Sequence, residues 1–262
     1  MRLDPTKRYD MPVVFGPSTA PDITTMARVQ SVSVPFVTDR AAMAELLPPF
    51  LEVAEVPVVT VVHTMNRGVD YMGGRGYNIV RVAFAAAFHG EVDTLVAPYA
   101  PVMWESDAAP IILGRERGGY AKIFGRIPDL QEREQGCSFE CYEYNARLLK
   151  AEVADWTPMV GEQLAALRQR ASEAVTLGWK YIPGIDAEPD ANYPTRQVMH
   201  YDYDRAWTGN ATVSFDTPDA DEAPYSAHIV AALRRLPILR YEPATMVQGS
   251  MKLPRNDVRR LL

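Results

Sequence analysis

Apolar residues alternate with polar ones, or run on as β-branched stretches, along most of this chain. Val56 to His63, Tyr77 to Phe88, Leu95 to Trp104, Ser138 to Tyr144, Gln197 to Tyr203 and Ala211 to Phe215 carry the pattern, which predicts strands. Turn-forming residues separate them, including Asn66-Arg67-Gly68, Gly73-Gly74, His89-Gly90 and Thr208-Gly209-Asn210. Such short, turn-rich connections suit antiparallel meanders rather than β-α-β crossovers. Helical spacing is rarer. Thr38 or Asp39 can cap a helix over Arg40 to Leu47 that stops before Pro48-Pro49, and Pro224 can open another that ends before Pro237. The longest predicted helix covers Met159 to Leu177, where Val160, Leu164, Leu167, Ala171, Ala174 and Val175 share a face and Gly178 is the stop. Gly184 to Pro194 reads as a polar loop that either lids a site or crosses the surface. The first 25 residues hold four prolines and little periodicity, the pattern of an extended arm. The expected class is α+β, mainly antiparallel β, as one domain over residues 1–262.

Composition narrows the function. The 262 residues are 47% hydrophobic and 23% charged, the mixture of an ordinary globular protein with a substantial core. With 27 basic and 33 acidic side chains the net charge is -6, so there is no basic excess to attract phosphate backbones, and nucleic acid is not an expected partner. The segment MRLDPTKRYDMP lacks the apolar core of a signal peptide, and no apolar run reaches bilayer length. The expected compartment is the cytoplasm, with no membrane partner. Cys137 and Cys141 form a C-x3-C spacing without a second pair, and His63, His89, His200 and His228 are scattered. The cysteines read as ordinary thiols, one of them buried, and neither a metal site nor a cofactor is expected.

One stretch carries chemistry. GRERGGYAKIFGR, Gly114 to Arg126, sets Lys122 in an apolar, glycine-rich segment flanked by Ile111, Ile112 and Leu113 on one side and Ile123 and Phe124 on the other. A strand here would bury the amine. Burial disfavours the ammonium form, and a neutral amine attacks ketones to form imines. The neutral fraction is expected to come from desolvation by Ile112, Ile123 and Phe124, with Arg115 or Arg126 as positive neighbours. Glu116 reads either as a partner orienting Arg115 or as an acid-base group. Tyr120 either donates its phenol proton to a substrate carbonyl or packs. Met103 and Trp104, at the end of a strand leading to this stretch, either wall a pocket or fill the core, and Glu105 is an acidic alternative next to them. The tract Arg67 to Tyr77 has the glycines of a phosphate loop, but β-branched residues follow it instead of a helix, so a hairpin is expected.

Four patterns stand in order along the chain: LLPPFLEV at Leu46 to Val53, GRERGGYAKIFG at Gly114 to Gly125, AWTG at Ala206 to Gly209, and LPRNDV at Leu253 to Val258. Together they resemble the acetoacetate decarboxylase superfamily. The resemblance implies a closed, cone-like antiparallel β-barrel with short peripheral helices and the lysine lining its interior, assembled as a homo-oligomer. It makes Lys122 the Schiff-base lysine, Tyr120 the pocket tyrosine, and Arg115 and Glu116 the charged pair before it. The chain departs from the family at two positions. Ile123 stands where a second lysine follows the nucleophile, and Ile79 stands where a strand glutamate is usual. The family's N-terminal arginine falls near Val29, which makes Arg28, one residue away, the substrate-binding candidate beside Arg115.

The implied activity is that of a Schiff-base-forming lyase. A protonated imine at Lys122 withdraws electrons, so a small β-keto acid can lose CO2 and leave an enamine. Decarboxylation is the first expectation because it needs the fewest extra groups. The alternative is an aldolase-dehydratase, in which the enamine of a 2-keto acid such as pyruvate condenses with an aldehyde and a basic group retains the carboxylate. An alternative of another class is a non-catalytic member that binds a small carbonyl or terpenoid-like ligand. The retained lysine argues against it, since a binding pocket has little reason to bury an amine.

Overall fold

The structure is a computed structural model and describes residues 2–262. Its strands are β1 Ile23–Val37, β2 Glu52–Val53, β3 Val58–Val69, β4 Tyr77–His89, β5 Thr94–Glu105, β6 Lys122–Phe124, β7 Gln131–Arg133, β8 Gly136–Glu143, β9 Ala146–Pro158, β10 Ala174–Ile182, β11 Ala191–Phe215, β12 Arg240–Tyr241, β13 Ala244–Pro254 and β14 Arg259–Arg260. The α-helices are short: α1 Arg40–Ala44, α2 Ala108–Leu113, α3 Gly161–Ala171 and α4 Ala227–Leu233. Hydrogen bonding runs in the order β10-β5-β4-β3-β1-β13-β11, and β11 pairs back onto β10. The ring therefore closes, and β9, β8 and β7 continue outward from β11. Parallel pairing occurs where β5 meets β10 and β6, and the long hairpins are antiparallel. This is the mainly antiparallel, closed fold with peripheral helices that the resemblance implies.

The strands at the centre of the ring are buried on both faces, which is why they read as near-continuous apolar runs rather than clean alternations. On one face Val59, Val61, Val80, Val82, Val102 and Trp104 join a core completed by Phe139, Leu148, Leu149 and Val230, from β8, β9 and α4. On the other face Thr64, Asn66, Ile79, Arg81, Met103 and Glu105 line a cavity. Both Cys137 and Cys141 are buried free thiols in the core.

Several local expectations are corrected. The helix predicted over Met159 to Leu177 ends at Ala171, and Ala174 onward forms β10. Nine residue pairs with β11 hold that segment extended, tertiary pairing overriding a helical spacing in a stretch that includes Val175 and Thr176. The turn predicted at Thr208-Gly209-Asn210 lies inside β11, at a register shift against β9. Gly209 is there because β9 presses close: a Cβ on it would sit 2.6 Å from the Ala154 carbonyl oxygen. Asn66-Arg67-Gly68 likewise belongs to β3, and the chain reverses at Asp70–Met72 instead. The long strands β1, β9 and β13 were not singled out by the pattern. α1 is shorter than predicted, with Asp39 capping it by accepting from the Ala42 amide at 2.8 Å. Among the described residues no helix is long and apolar enough to cross a membrane.

Candidate active site

The glycine-rich motif opens on a helical turn. α2, capped where Asp107 accepts from the Ala109 amide at 2.8 Å, runs into a wider-wound turn over Gly114–Gly118, and the chain then reverses through Gly119 in the left-handed conformation. Only Lys122–Phe124 is strand, paired parallel to β5 with Lys122 opposite Met103 and Phe124 opposite Glu105. Gly114 makes room for the lysine. A Cβ there would stand 2.5 Å from Lys122 Cε and 2.7 Å from Nζ, so the lysine side chain lies directly against the helical turn.

The amine ends 2.9 Å from Glu105 Oε1, with the lysine side chain 11% exposed and the glutamate fully buried. Nζ also donates to the Pro110 carbonyl oxygen at 3.1 Å and sits 6.0 Å from the Tyr120 ring centroid. Its surroundings differ from those expected. Ile112 and Phe124 are exposed, and Ile123 packs against the core on the far side of the sheet. Arg126 stacks on Tyr142 with its guanidinium carbon 3.9 Å from the ring centroid. The nearest charge is therefore a carboxylate and not a cation. Burial pushes the Glu105 carboxyl above the usual carboxylate range, with the adjacent Lys122 acting in the opposite direction. Glu105 Oε2 has no hydrogen-bond partner among the described residues.

The pair stands on the wall of a cavity of about 130 Å³. An apolar cavity near this size holds benzene, so a keto acid of three or four carbons fits. Lys122, Tyr120 and Met103 line it, together with Glu105. The Tyr120 hydroxyl is 2.9 Å from Thr176 Oγ1, and burial pushes its phenol up, which keeps the proton available for donation.

Four of the residues expected at the site are not in it. Trp104 follows Met103 on β5, so the strand's alternation turns it to the opposite face, where it is fully buried and its Nε1 donates to Ser226 Oγ at 3.0 Å. Arg115 and Glu116 lie on the exposed side of the helical turn. Arg115 Nη1 donates to the Lys122 backbone carbonyl at 2.8 Å, so it braces the lysine's backbone and not a ligand. Arg28 is exposed on β1 beside a register shift between Met26 and Val29, and Met26 takes the cavity-lining position.

The cavity instead holds residues the sequence reading missed: Arg81, Arg117, Arg255 and Asn66. Arg117 is bound to Asp10 of the N-terminal arm at 2.6 Å. Arg255 Nε donates to Thr24 Oγ1 at 2.7 Å, and its guanidinium carbon lies 4.7 Å from the Tyr71 ring centroid. Asn66 is 1% exposed with neither side-chain atom bonded, and Arg81 Nε is buried without a partner among the described residues. Arg81 was legible in principle, since it stands two residues after Ile79 and so on the same face of β4. Among the described residues no cluster of three or more His, Cys, Asp or Glu could hold a metal ion.

The sequence matches the family described as Acetoacetate decarboxylase (ADC) over residues 10–260. The chain belongs to the acetoacetate decarboxylase family. No curated protein matches it in sequence. Among solved structures it is similar to an acetoacetate decarboxylase with a TM-score of 0.78 at 17% identity, over 98% of this chain and 96% of the other. It is also similar to the acetoacetate decarboxylase of Legionella pneumophila, with a TM-score of 0.74 at 18% identity over 94% and 92%. The enduracididine biosynthesis enzyme MppR, solved with pyruvate, superposes with a TM-score of 0.69 at 16% identity over 93% and 92%. At these identities the likeness to each structure is one of fold.

Proposed function

We propose that this family member is a Schiff-base-forming carbon-carbon lyase that bonds Lys122 Nζ to the ketone of a small keto acid. The observation that carries the reading is the 2.9 Å contact between that amine and a fully buried carboxylate on the cavity wall. A proton passed from Nζ to Glu105 leaves a neutral amine and a neutral acid, which avoids keeping two desolvated charges. The amine then attacks the carbonyl carbon, the new C–N bond forms, and the carbonyl oxygen, protonated by Glu105 and Tyr120, leaves as water while the nitrogen returns one of its protons to Tyr120. In the protonated imine of a β-keto acid, the bond to the carboxylate breaks and its electron pair moves into the imine. CO2 departs, Glu105, by then a carboxylate, takes a proton from solvent and passes it to the enamine carbon, and water hydrolyses the imine to the ketone and free amine. Lys122, Glu105 and Tyr120 suffice for this decarboxylation.

A second reading is favoured by Arg81. Aldol condensation of a 2-keto acid uses the same imine but keeps the carboxylate, which then needs a cation, and Arg81 has no acidic partner among the described residues. The MppR relative has been solved with the condensation product of pyruvate and imidazole 4-carboxaldehyde.

The test is to incubate the protein with acetoacetate or pyruvate, reduce with borohydride and weigh the intact chain. A mass adduct in wild type that is absent from Lys122→Ala is expected. No adduct in wild type, or an equal one in the variant, would overturn the reading. Released CO2 against aldehyde-dependent enone absorbance then separates the two reactions.

A further inference from the structure

We propose that Arg81 anchors a carboxylate-binding subsite, which holds the acid group of the keto acid while its carbonyl carbon is bonded to Lys122. The placement of the carbonyl end rests on the Schiff-base reading above. The anchor itself rests on Arg81 alone, among the described cations of the cavity, having no acidic or hydrogen-bonding partner. Arg117 is neutralised by Asp10, and Arg255 is held by Thr24 and covered by Tyr71. Arg81 is half-buried in the wall, its Nε is out of water, and no carboxylate or hydrogen-bond acceptor among the described residues meets it. A buried guanidinium N–H with no partner is costly unless a ligand supplies one, and the planar fork it belongs to matches a carboxylate.

The register supports the spacing. Arg81 pairs with Met103, and Met103 pairs with Lys122. The two backbones are thus two inter-strand distances apart, roughly 10 Å, and two long side chains reach one small molecule over Met103. The field is polarised in the same sense. The Arg81 charge reaches the phenols of Tyr120, Tyr201 and Tyr203, opposing the rise that burial gives them, while the Glu105 carboxyl stands beside the amine. A molecule with a carboxylate at one end and a ketone next to it matches that order.

The anchor also selects among reactions. A guanidinium stabilises the carboxylate as an anion, and loss of CO2 discharges that anion, so an acid group held by Arg81 is favoured in the ground state over the transition state for its expulsion. The held group is one that stays. In the imine of a 2-keto acid, the C–H bond on the carbon beyond the ketone breaks, its electron pair moves into the imine to form the enamine, and Glu105 receives the proton.

Oxamate, an isostere of pyruvate, and its neutral amide oxamide test the subsite by calorimetry. Wild type is expected to bind oxamate about 10- to 100-fold more tightly than oxamide, the effect of a charge-assisted hydrogen bond. Arg81→Met is expected to abolish the difference and Arg81→Lys to restore part of it. Equal binding of the two ligands by wild type overturns the proposal, and so does oxamate binding by Arg81→Met at the wild-type level. The wild-type comparison decides even if the methionine variant does not fold. Borohydride trapping of pyruvate and acetone separates the two readings. Trapping of neither, with oxamate still bound, removes the imine and leaves the subsite. Equal trapping of pyruvate by wild type and Arg81→Met across its concentration range removes the subsite and leaves the imine.

Discussion

Ile79 of β4 and Glu105 of β5 are direct cross-strand partners, and both line the cavity. The resemblance places a glutamate at position 79, where this chain has an apolar residue. Directly opposed side chains on one face stand about 5 Å apart at Cβ, so a carboxylate at 105 enters the same part of the cavity from the neighbouring strand. The Glu105 carboxylate reaches the lysine at 2.9 Å.

Glu105→Gln keeps the shape of the side chain and removes its ability to take a proton. Positioned acid-base groups contribute about 10²- to 10⁴-fold, so borohydride-trapped imine should form slower by that range in the variant. The comparison is a single-turnover time course at neutral pH. A variant trapping at the wild-type rate would remove Glu105 from the proposed mechanism.

Gly114→Ala separates position from stability. Gly114 has ordinary helical dihedrals, φ -70 and ψ -39, so alanine is favoured there by up to about 1 kcal/mol on backbone grounds. The new methyl, however, meets Lys122 Cε at 2.5 Å and must push the amine aside. A misplacement near 1 Å can cost on the order of 10²-fold in rate. The expected result is a melting temperature that stays level or rises while imine trapping falls at least tenfold. Unchanged trapping would mean that the lysine does not work from the position seen here.

What the sequence made legible follows from how local each signal is. Lys122 and Tyr120 stand in one contiguous motif, and their place in the cavity needs only that motif to fold as a unit. Glu105 and Arg81 depend on the pairing of β4 with β5 and of β5 with β6, which no single stretch of sequence encodes. Met103 and Trp104 could not be told apart because β5 is buried on both faces, and a strand without a polar face gives no phase. Arg28 sits beside a bulge between Met26 and Val29, so counting residues along β1 assigns faces incorrectly. Arg115 and Glu116 are the charged pair just before the lysine in the motif, and five residues of helical turn put them on the solvent side.

Trp104→Phe tests that division of faces. The indole is fully buried and bonded to Ser226, which is itself 0% exposed. Phenylalanine leaves a gap and an unpaired hydroxyl, a loss of about 2–4 kcal/mol in denaturant unfolding. Imine trapping per folded molecule should match wild type, because the side chain lies across the sheet from Lys122. A trapping defect with intact stability would bring Trp104 back to the cavity side.

His63 gives the fold an acid sensitivity that is separate from the site. It faces the core with 1% exposure, its Nε2 lies 3.1 Å from the Pro128 carbonyl oxygen, and its ring centroid is 5.2 Å from that of Phe139. Burial pushes the imidazole down from 6.5 to about 4. In the unfolded chain His63 takes up a proton as pH falls past 6.5, while the folded protein refuses it until about 4. The stability contributed by the neutral ring is therefore fully present above 6.5 and is lost as pH falls towards 4, by about 3 kcal/mol in total. His63→Gln, whose amide can still donate to the Pro128 oxygen, does not titrate. Urea midpoints for the two proteins should therefore differ most in favour of wild type near neutral pH and converge, or cross, as the medium is acidified. A difference that stays constant over that range would show that the imidazole is charged, or free to become so, in the folded state.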